Sequence, residues 1–211
     1  MEIELQNRIL SSIVLIPIAI FFIVKGTVFF AFFLGLFFLV TSYEWLKMCK
    51  KNHLMKFLGI IFLLFSFYSS FYIRENSGLS LFLFIILICI FTDIGGYVFG
   101  NVFKGPKLIK ISPKKTYAGV IGGFLFSLIA ALSFLKIINS NFLEVNYLNT
   151  FFTILTVSLI SQIGDLIISF FKRKAKLKDT GKILPGHGGL LDRVDGLIFV
   201  MPLVYLMLFV I

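Results

Sequence analysis

Charged residues are scarce in this sequence, and acidic residues are the scarcest of them. Only 14% of the 211 side chains are charged and 59% are hydrophobic, and ten Asp and Glu stand against twenty Lys and Arg. This composition excludes a single soluble core and is typical of helices solvated by lipid. The net charge of +10 suits anionic lipid headgroups, nucleotide phosphates or both, and its sign alone favours neither.

Cysteine pairs, a cleavable leader and internal repeats are also lacking. Cys49 lies in a Lys-rich loop and Cys89 lies inside an apolar run, so we expect neither a disulfide between them nor a cysteine metal site. The first apolar run has little positive charge before it and no small-residue cleavage site after it. This pattern predicts a retained helix rather than a signal peptide.

Seven apolar runs are long enough, or nearly long enough, to cross a bilayer as helices. They are Ile9–Val24, Thr27–Tyr43, Phe57–Ile73, Leu79–Phe99, Tyr117–Leu135, Thr150–Phe171 and Gly196–Ile211. The predicted fold class is therefore all-α, a polytopic membrane helix bundle with about seven transmembrane helices. Only Lys25 and Gly26 separate the first two runs, which predicts a tight helical hairpin.

Loop charges predict how the bundle is oriented. Of the 20 Lys and Arg residues, 17 fall on one side of the predicted bundle, which the positive-inside rule places in the cytoplasm together with the N-terminus. The expected location is a bacterial inner membrane. Because the Asp residues in or beside the spans and the Gly-rich turns come later, residues 1–90 are predicted to be scaffold. Residues 91–211 are predicted to form a catalytic region with a polar site facing the cytoplasm.

The most polar segment runs from residue 169 to residue 195 and holds seven Lys or Arg and three Asp in 27 positions. At its start, spacings of four and three place Asp165, Ser169 and Lys172 on one helix face. An ionisable residue at the depth of Asp165 is costly unless it meets a wet cavity, a cation or a partner. The alternative is a structural pair between Asp165 and Lys172.

The turn at residues 185–189 places three glycines around His187, and its backbone N–H groups could bind a phosphate as nests do. Asp192 and Asp195 follow one helical turn apart, with Arg193 between them. Two such carboxylates can share a Mg²⁺ ion. The alternative is a helix N-terminus at which the acidic residues stabilise the dipole.

A third polar group lies between the fourth and fifth apolar runs. Lys114 and Lys115, with Ser112, could bind phosphate through charge and hydroxyl, or could form a plain positive-inside cluster. Asp93, at the cytoplasmic half of a span, needs a partner or an ion. Small-residue spacings that favour close helix packing are Gly96 to Gly100 and Gly119 to Gly123.

These segments resemble the integral-membrane phosphatidate cytidylyltransferases, the CDP-diacylglycerol synthases, over roughly residues 90 to 200. The signature residues are Ser169, Lys172, Arg173, Lys178, Asp179, Gly181, Pro185, His187, Gly188, Gly189, Asp192, Arg193 and Asp195. The chain departs from the family at Ile168, where an acidic residue is usual, and at Ala118, where Glu is common. It is also short for that family, so we expect N-terminal helices of the family to be absent.

The resemblance implies transfer of a cytidylyl group from CTP to phosphatidic acid, with Mg²⁺ as cofactor and a second cation as an option. It implies catalytic roles for Asp165, Lys172, Arg173, His187, Asp192 and Asp195, and metal ligands at Asp93, Asp165, Asp192 and Asp195. It implies substrate contacts by Ser112, Lys114, Lys115, Ser169, Lys178, Asp179, Gly188, Gly189 and Arg193. Membrane lipids and a second copy of the chain are the other expected partners, and no nucleic acid is expected.

Three alternatives stay open at this point. A CTP-dependent polyprenol or lipid kinase would use similar residues but would transfer the γ-phosphate. A membrane transporter could also place Asp residues in its spans, although it gives no reason for the glycine-rich turn. A paralogue of the same fold could have weak activity because of Ile168 and Ala118.

Overall fold

The computed structural model describes residues 2–50, 52–109, 112–138, 147–183, 186 and 188–209. The helices in this part of the chain are α1 (Glu2–Lys25), α2 (Thr27–Met48), α3 (His53–Asn76), α4 (Gly78–Val102), α5 (Tyr117–Ile138), α6 (Tyr147–Lys174), α7 (Leu191–Val194) and α8 (Leu197–Phe209). Two short strands, β1 (Lys107–Ile109) and β2 (Ser112–Thr116), precede α5.

The helices correspond to the apolar runs of the sequence. Helices α2 to α6 are long and apolar enough to cross a membrane. Two shorter apolar helical stretches are the part of α1 at Ile13–Lys25 and α8 at Leu197–Phe209. These seven match the seven predicted runs, and the predicted all-α polytopic fold class is confirmed. The short helix α7 coincides with the helix start that was the alternative for Asp192 and Asp195, and Asp192 lies in its first turn.

The chain forms two compact units. One contains Met1–Leu79 and Phe171–Ile211, and the other contains Ser80–Phe170. Helix α6 contributes to both units, because the division falls within it. The division near residue 90 was predicted on functional grounds, and it stays a prediction.

In the first unit, α1 and α2 form the predicted tight hairpin. Gly26 has a φ of 68° and is the residue between the two helices. The end of α3 satisfies the backbone groups of this turn: Arg74 Nε donates to the Ile23 carbonyl oxygen at 2.8 Å, and Glu75 Oε1 accepts from the Thr27 backbone N–H at 2.8 Å. The helix ends at the hairpin are therefore capped by side chains.

The first unit also holds the only tryptophan of the chain, Trp45, near the end of α2. Its Nε1 donates to the Met55 carbonyl oxygen at 3.0 Å, and its ring packs edge-on against Phe171 with a centroid distance of 4.9 Å. A methyl group on Gly59 would overlap the indole ring. Trp45 therefore reports on the packing of α2 against α3 and the end of α6.

In the second unit, α4 and α5 approach closely through glycines. A methyl group on Gly119 would lie 2.8 Å from the Gly96 carbonyl oxygen, and one on Gly122 would lie 2.7 Å from the Gly95 carbonyl oxygen. Side chains at these positions would force the helices apart, so the packing role predicted for the glycine spacings is confirmed.

The strands β1 and β2 form an antiparallel ribbon that the sequence analysis had treated as a loop. Lys107 pairs with Thr116 and Ile109 pairs with Ser112, with an irregularity in register between the two pairs. The ribbon leads directly into α5, where the Thr116 hydroxyl oxygen accepts from the Gly119 backbone N–H at 3.1 Å and caps the helix. Strands of three and five residues are too short to show a clear period of two in the sequence.

Candidate active site

Asp192 joins the parts of the polar segment in the first unit. Its Oδ1 accepts a hydrogen bond from Lys172 Nζ at 2.7 Å, and the two side chains are 7% and 12% exposed, respectively. Its Oδ2 accepts from the Thr180 backbone N–H at 2.8 Å, the Thr180 hydroxyl at 3.0 Å and the Gly189 backbone N–H at 3.2 Å. The end of α6 and both sides of the glycine-rich turn are therefore held by one carboxylate at the start of α7.

Opposing effects act on the pKa of the Asp192 carboxyl. Burial raises this pKa, but the hydrogen bonds from Lys172, Thr180 and Gly189 and the charge of Lys172 outweigh burial and lower it below its ordinary value. Asp192 is therefore ionised at neutral pH. The stability that it contributes is complete above the ordinary pKa of 3.8, and it is lost as the pH falls below that value and through the lowered pKa.

Glu44, near the end of α2, is a second carboxylate held by the same segment. It is 1% exposed. Its Oε1 accepts from the Leu190 backbone N–H at 3.0 Å, and its Oε2 accepts from the Leu191 backbone N–H and the Thr180 hydroxyl, both at 2.8 Å. Glu44 thus binds the polar segment on both sides of its turn.

Glu44 is not among the residues predicted from the sequence, because residues 1–90 were predicted to be scaffold. Its position in the sequence nevertheless carries one indication of a role. Glu44 is the only acidic residue between Glu4 and Glu75, and it ends an apolar run beside a basic loop. A lone carboxylate at such a position is costly without partners, which predicts a specific set of donors.

Two glycines let the turn close on these carboxylates. A methyl group on Gly181 would overlap Glu44 Oε1, and one on Gly189 would lie 2.7 Å from Glu44 Oε2. Gly188 has a φ of 88°, a conformation that favours glycine. The sequence predicted that Gly188 and Gly189 contact a substrate phosphate. In the structure the Gly189 N–H is donated to Asp192, and the phosphate contact stays a prediction.

The other predicted residues of this segment have varied surroundings. Arg173 Nη1 donates to the Leu177 carbonyl oxygen at 3.1 Å beyond the end of α6. Asp195 is 8% exposed, and its Oδ1 accepts from the Gly196 backbone N–H at 2.9 Å. The exposed residues are Lys178, Asp179 and Arg193. His187 lies outside the described residues, so its catalytic role stays a prediction.

Asp165 belongs to the second unit, where it pairs with a lysine of the ribbon. Its Oδ2 lies 2.6 Å from Lys115 Nζ, and its Oδ1 accepts from the Ser169 hydroxyl at 3.2 Å. Lys172, the partner in the alternative prediction, belongs to the first unit and binds Asp192 there. Both side chains of the Lys115 pair are partly exposed, at 24% for Lys115 and 30% for Asp165. Because both side chains are accessible, either one can bind a ligand in place of its partner.

Asp165 and Lys115 line a cavity of about 240 Å³ in this unit. Its other polar lining residues are Thr92, Asp93, Tyr97, Thr116 and Gln162. Gln162 Nε2 is buried and has no hydrogen-bond partner in the part of the chain that the structure describes. Carboxylates, a buried amide and a lysine in one cavity can bind a cation, a phosphate or both.

The donors of this cavity fit a divalent cation. Carboxylate and amide oxygens are ligands that Mg²⁺ takes, usually with retained waters and substrate phosphates. The cavity offers the carboxylates of Asp93 and Asp165. Among the described residues no group of three or more His, Cys, Asp or Glu side chains could hold a metal, so ligands from water or substrate would complete the shell. Asp192, in the first unit, already accepts hydrogen bonds at both carboxylate oxygens.

Ser112 and Lys114 lie on β2, three residues and one residue before Lys115, and their side chains lie outside the described part of the structure. Their predicted substrate contacts therefore stay predictions. Leu108 of β1 and Thr116 of β2 both line the cavity. The basic ribbon is thus part of the cavity wall, which the sequence analysis could not show.

A comparison with known families decides the class of this protein. The model of the cytidylyltransferase family matches residues 50–211. The chain belongs to this family. The match includes Asp93, Asp165 and the whole polar segment from residue 169 to residue 195. It leaves out Glu44, which lies upstream of the matched residues.

Named relatives of this cytidylyltransferase-family chain are bacterial. The phosphatidate cytidylyltransferase of Staphylococcus aureus (strain COL) is 44% identical over 139 residues. Those of Staphylococcus haemolyticus (strain JCSC1435) and Staphylococcus epidermidis (strain ATCC 12228 / FDA PCI 1200) are 41% identical over 139 residues. Each match covers 65% of this chain and 52% of the relative, so the chain spans about half the length of the curated relatives it matches. Its apolar helices make it an integral membrane protein.

Proposed function

We propose that this protein transfers the cytidylyl group of CTP to phosphatidic acid, giving CDP-diacylglycerol and pyrophosphate. The observation that carries the proposal is the family match over residues 50–211, which includes the candidate cavity and the polar segment. The relatives named phosphatidate cytidylyltransferase support the choice of substrates. The buried carboxylates and the lysine pairs described above supply the charges that this reaction needs.

The reaction makes and breaks one phosphorus–oxygen bond. A phosphate oxygen of phosphatidic acid attacks the α-phosphorus of CTP, a new P–O–P linkage forms, and the bond to the β-phosphate breaks as pyrophosphate leaves. A phosphate monoester is already largely ionised near pH 7, so little general-base help is needed. The protein must neutralise charge and hold the reacting atoms in line.

The cavity of the second unit supplies groups for charge neutralisation. We assign Asp93 and Asp165 to a divalent cation, since both carboxylates line one cavity. Mg²⁺ bound there would neutralise charge on the triphosphate. Lys115, which pairs with Asp165 and is partly exposed, would bind a substrate phosphate through its ammonium group.

The polar segment of the first unit supplies a fixed scaffold and exposed cations. The buried pair of Lys172 and Asp192 holds the segment in place. Arg173 is exposed and uses one Nη group to bind the Leu177 carbonyl oxygen, which leaves further guanidinium donors for a phosphate. Lys178 is exposed as well, and we assign both cations to substrate phosphates.

The location follows from the same proposal. Because most cations fall on one predicted side of the bundle, we place the site at the cytoplasmic face of a bacterial inner membrane, where CTP is available. Phosphatidic acid would reach the site from the surrounding bilayer.

The test is a doubly labelled substrate assay. The purified full chain in mixed micelles receives Mg²⁺, phosphatidic acid and CTP labelled on cytosine and on the γ-phosphate. Cytosine label in the lipid phase is expected, and it should fall at least tenfold in Asp165→Asn, while the exposed-lysine control Lys136→Gln stays within about twofold of wild type. Label from the γ-phosphate alone in the lipid phase would instead identify a lipid kinase, and no label in lipid from folded protein would refute transfer altogether.

A further inference from the structure

Glu44 lies outside the segment matched by the family model, and its contacts are those of a residue that shapes the site. Its side chain is 1% exposed, and both carboxylate oxygens accept hydrogen bonds from the polar segment. The donors are the Thr180 hydroxyl, which precedes the glycine-rich turn, and the backbone N–H groups of Leu190 and Leu191, which follow it. One carboxylate on α2 therefore holds both sides of the turn.

Gly181 and Gly189 pack directly against the Glu44 carboxylate. Methyl groups on Gly181 or Gly189 would collide with the two oxygens of Glu44. The two oxygens of Glu44 meet three donors, and a buried donor left without an acceptor is costly. A side chain with fewer acceptor sites would leave one of these donors unpaired.

Thr180 connects Glu44 to the buried ion pair. The Thr180 hydroxyl lies 2.8 Å from Glu44 Oε2 and 3.0 Å from Asp192 Oδ2, and its single hydrogen can be donated to one of them at a time. Asp192 in turn binds Lys172 Nζ at 2.7 Å. A continuous chain of contacts thus runs from Glu44 through Thr180 and Asp192 to Lys172.

We propose that Glu44 is a positioning residue for cytidylyl transfer: it fixes Thr180, Leu190 and Leu191, so that the buried pair of Lys172 and Asp192 holds the polar segment and its exposed cations in the geometry that the substrates need. This inference rests on the proposed function. It assigns a catalytic contribution to the N-terminal scaffold, although Glu44 touches no reacting atom. A misplacement of about 1 Å in such a site can cost on the order of a hundredfold in rate.

The first test separates turnover from binding. Glu44→Gln keeps the size of the side chain but turns an NH₂ group toward a backbone or hydroxyl donor. We expect kcat to fall by about 10- to 100-fold and the KM for CTP to change by less than about threefold. The matched control is Glu75→Gln, since Glu75 also accepts a backbone N–H at a helix end in this unit and should keep kcat within about twofold. Equal losses of kcat in both variants would overturn the positioning role.

The second test asks whether Glu44 acts through Thr180. Thr180→Val removes the hydroxyl while keeping the shape of the side chain. If the contact chain carries the effect, Glu44→Gln combined with Thr180→Val will lower kcat no further than the worse single variant. Multiplicative losses would show that the two residues act independently and would overturn the proposed route.

The third test does not need activity. Lys182 is exposed three residues before the turn, and Lys104 is exposed in the other unit. Trypsin should cleave Glu44→Gln after Lys182 at least fivefold faster than wild type, with cleavage after Lys104 unchanged, because the turn has lost its anchor. Unchanged cleavage after Lys182 would overturn the positioning role. An inactive wild type would overturn the proposed function alone, since the turn could still be shown to depend on Glu44.

Discussion

Replacing Asp192 with asparagine should destabilise the protein more than removing its partner Lys172. The reason lies in how the two oxygens of Asp192 are used. Asp192→Asn can keep an acceptor toward Thr180 and Gly189 only by turning its NH₂ group toward the Lys172 ammonium. Lys172→Met, by contrast, leaves the carboxylate with the backbone N–H groups of Thr180 and Gly189 at Oδ2, together with the Thr180 hydroxyl that it shares with Glu44.

The magnitude follows from the geometry of the pair. At 2.7 Å the attraction of two unit charges is about 6 kcal/mol in an effective dielectric of about 20, and desolvation of both groups offsets much of it. Removing one partner of a buried pair costs about 3 to 5 kcal/mol because the other charge is left uncompensated. We expect Asp192→Asn to lose that amount. Lys172→Met should lose only about 1.5 to 3 kcal/mol, the cost of one charge-assisted hydrogen bond.

The assay is equilibrium unfolding in detergent, followed by the fluorescence of Trp45, whose ring packs against Phe171 next to Lys172. The double variant Lys172→Met with Asp192→Asn should be more stable than Asp192→Asn alone, since the uncompensated ammonium is gone. Greater loss in Lys172→Met than in Asp192→Asn, or a coupling energy below about 0.5 kcal/mol, would refute the buried ion pair as the anchor of this segment.

Three further predictions concern the pKa of Asp192, the packing of α4 against α5 at Gly122, and the role of Lys115. Because the pKa of Asp192 is lowered in the folded protein, the difference in unfolding free energy between wild type and Asp192→Asn should be constant above about pH 5 and should shrink as the pH falls below the ordinary pKa of 3.8. A difference that already shrinks near pH 6 would contradict the lowered pKa. Gly122→Ala should lower the free energy of unfolding by about 1 to 3 kcal/mol, because the added methyl group collides with Phe99. Gly35→Ala is the control and should be neutral or stabilising, because its methyl group would meet no atom within 4 Å. Similar losses in both variants would contradict the close packing of α4 and α5. Lys115→Gln should lower kcat/KM at least tenfold, measured by cytosine transfer to lipid, and an unchanged value would remove Lys115 from the site.

The helices could be predicted from the sequence because their signal is local. In a membrane, long apolar runs bounded by charged or glycine-containing loops must form helices, because their backbone groups need hydrogen bonds within the segment. The hairpin at Gly26 was predictable because only Lys25 and Gly26 separate the first two runs. The bounds differ mainly where polar residues continue a helix. Helix α3, for example, begins at His53 rather than at Phe57 and ends at Asn76 rather than at Ile73.

The candidate site was predictable in composition but not in its contacts. The spacing of Asp165 and Lys172 along one helix suggested that they act together, yet each binds a partner distant in sequence, Lys115 and Asp192 respectively. Glu44 was missed for the same reason, since its donors lie 136 to 147 residues further along the chain. Pairing over such separations depends on how helices pack, which a local pattern does not encode.

The mass of the lipid product distinguishes cytidylyl transfer from the other candidate reactions. Purified wild-type protein is incubated with Mg²⁺, CTP and phosphatidic acid of a single acyl composition, and the extracted lipids are analysed by mass spectrometry. Cytidylyl transfer will give a new lipid whose mass equals that of phosphatidic acid plus one cytidine monophosphate less water, formed in equal amount with pyrophosphate. A lipid that gains only a phosphate, or unchanged phosphatidic acid in the presence of folded protein, would contradict it.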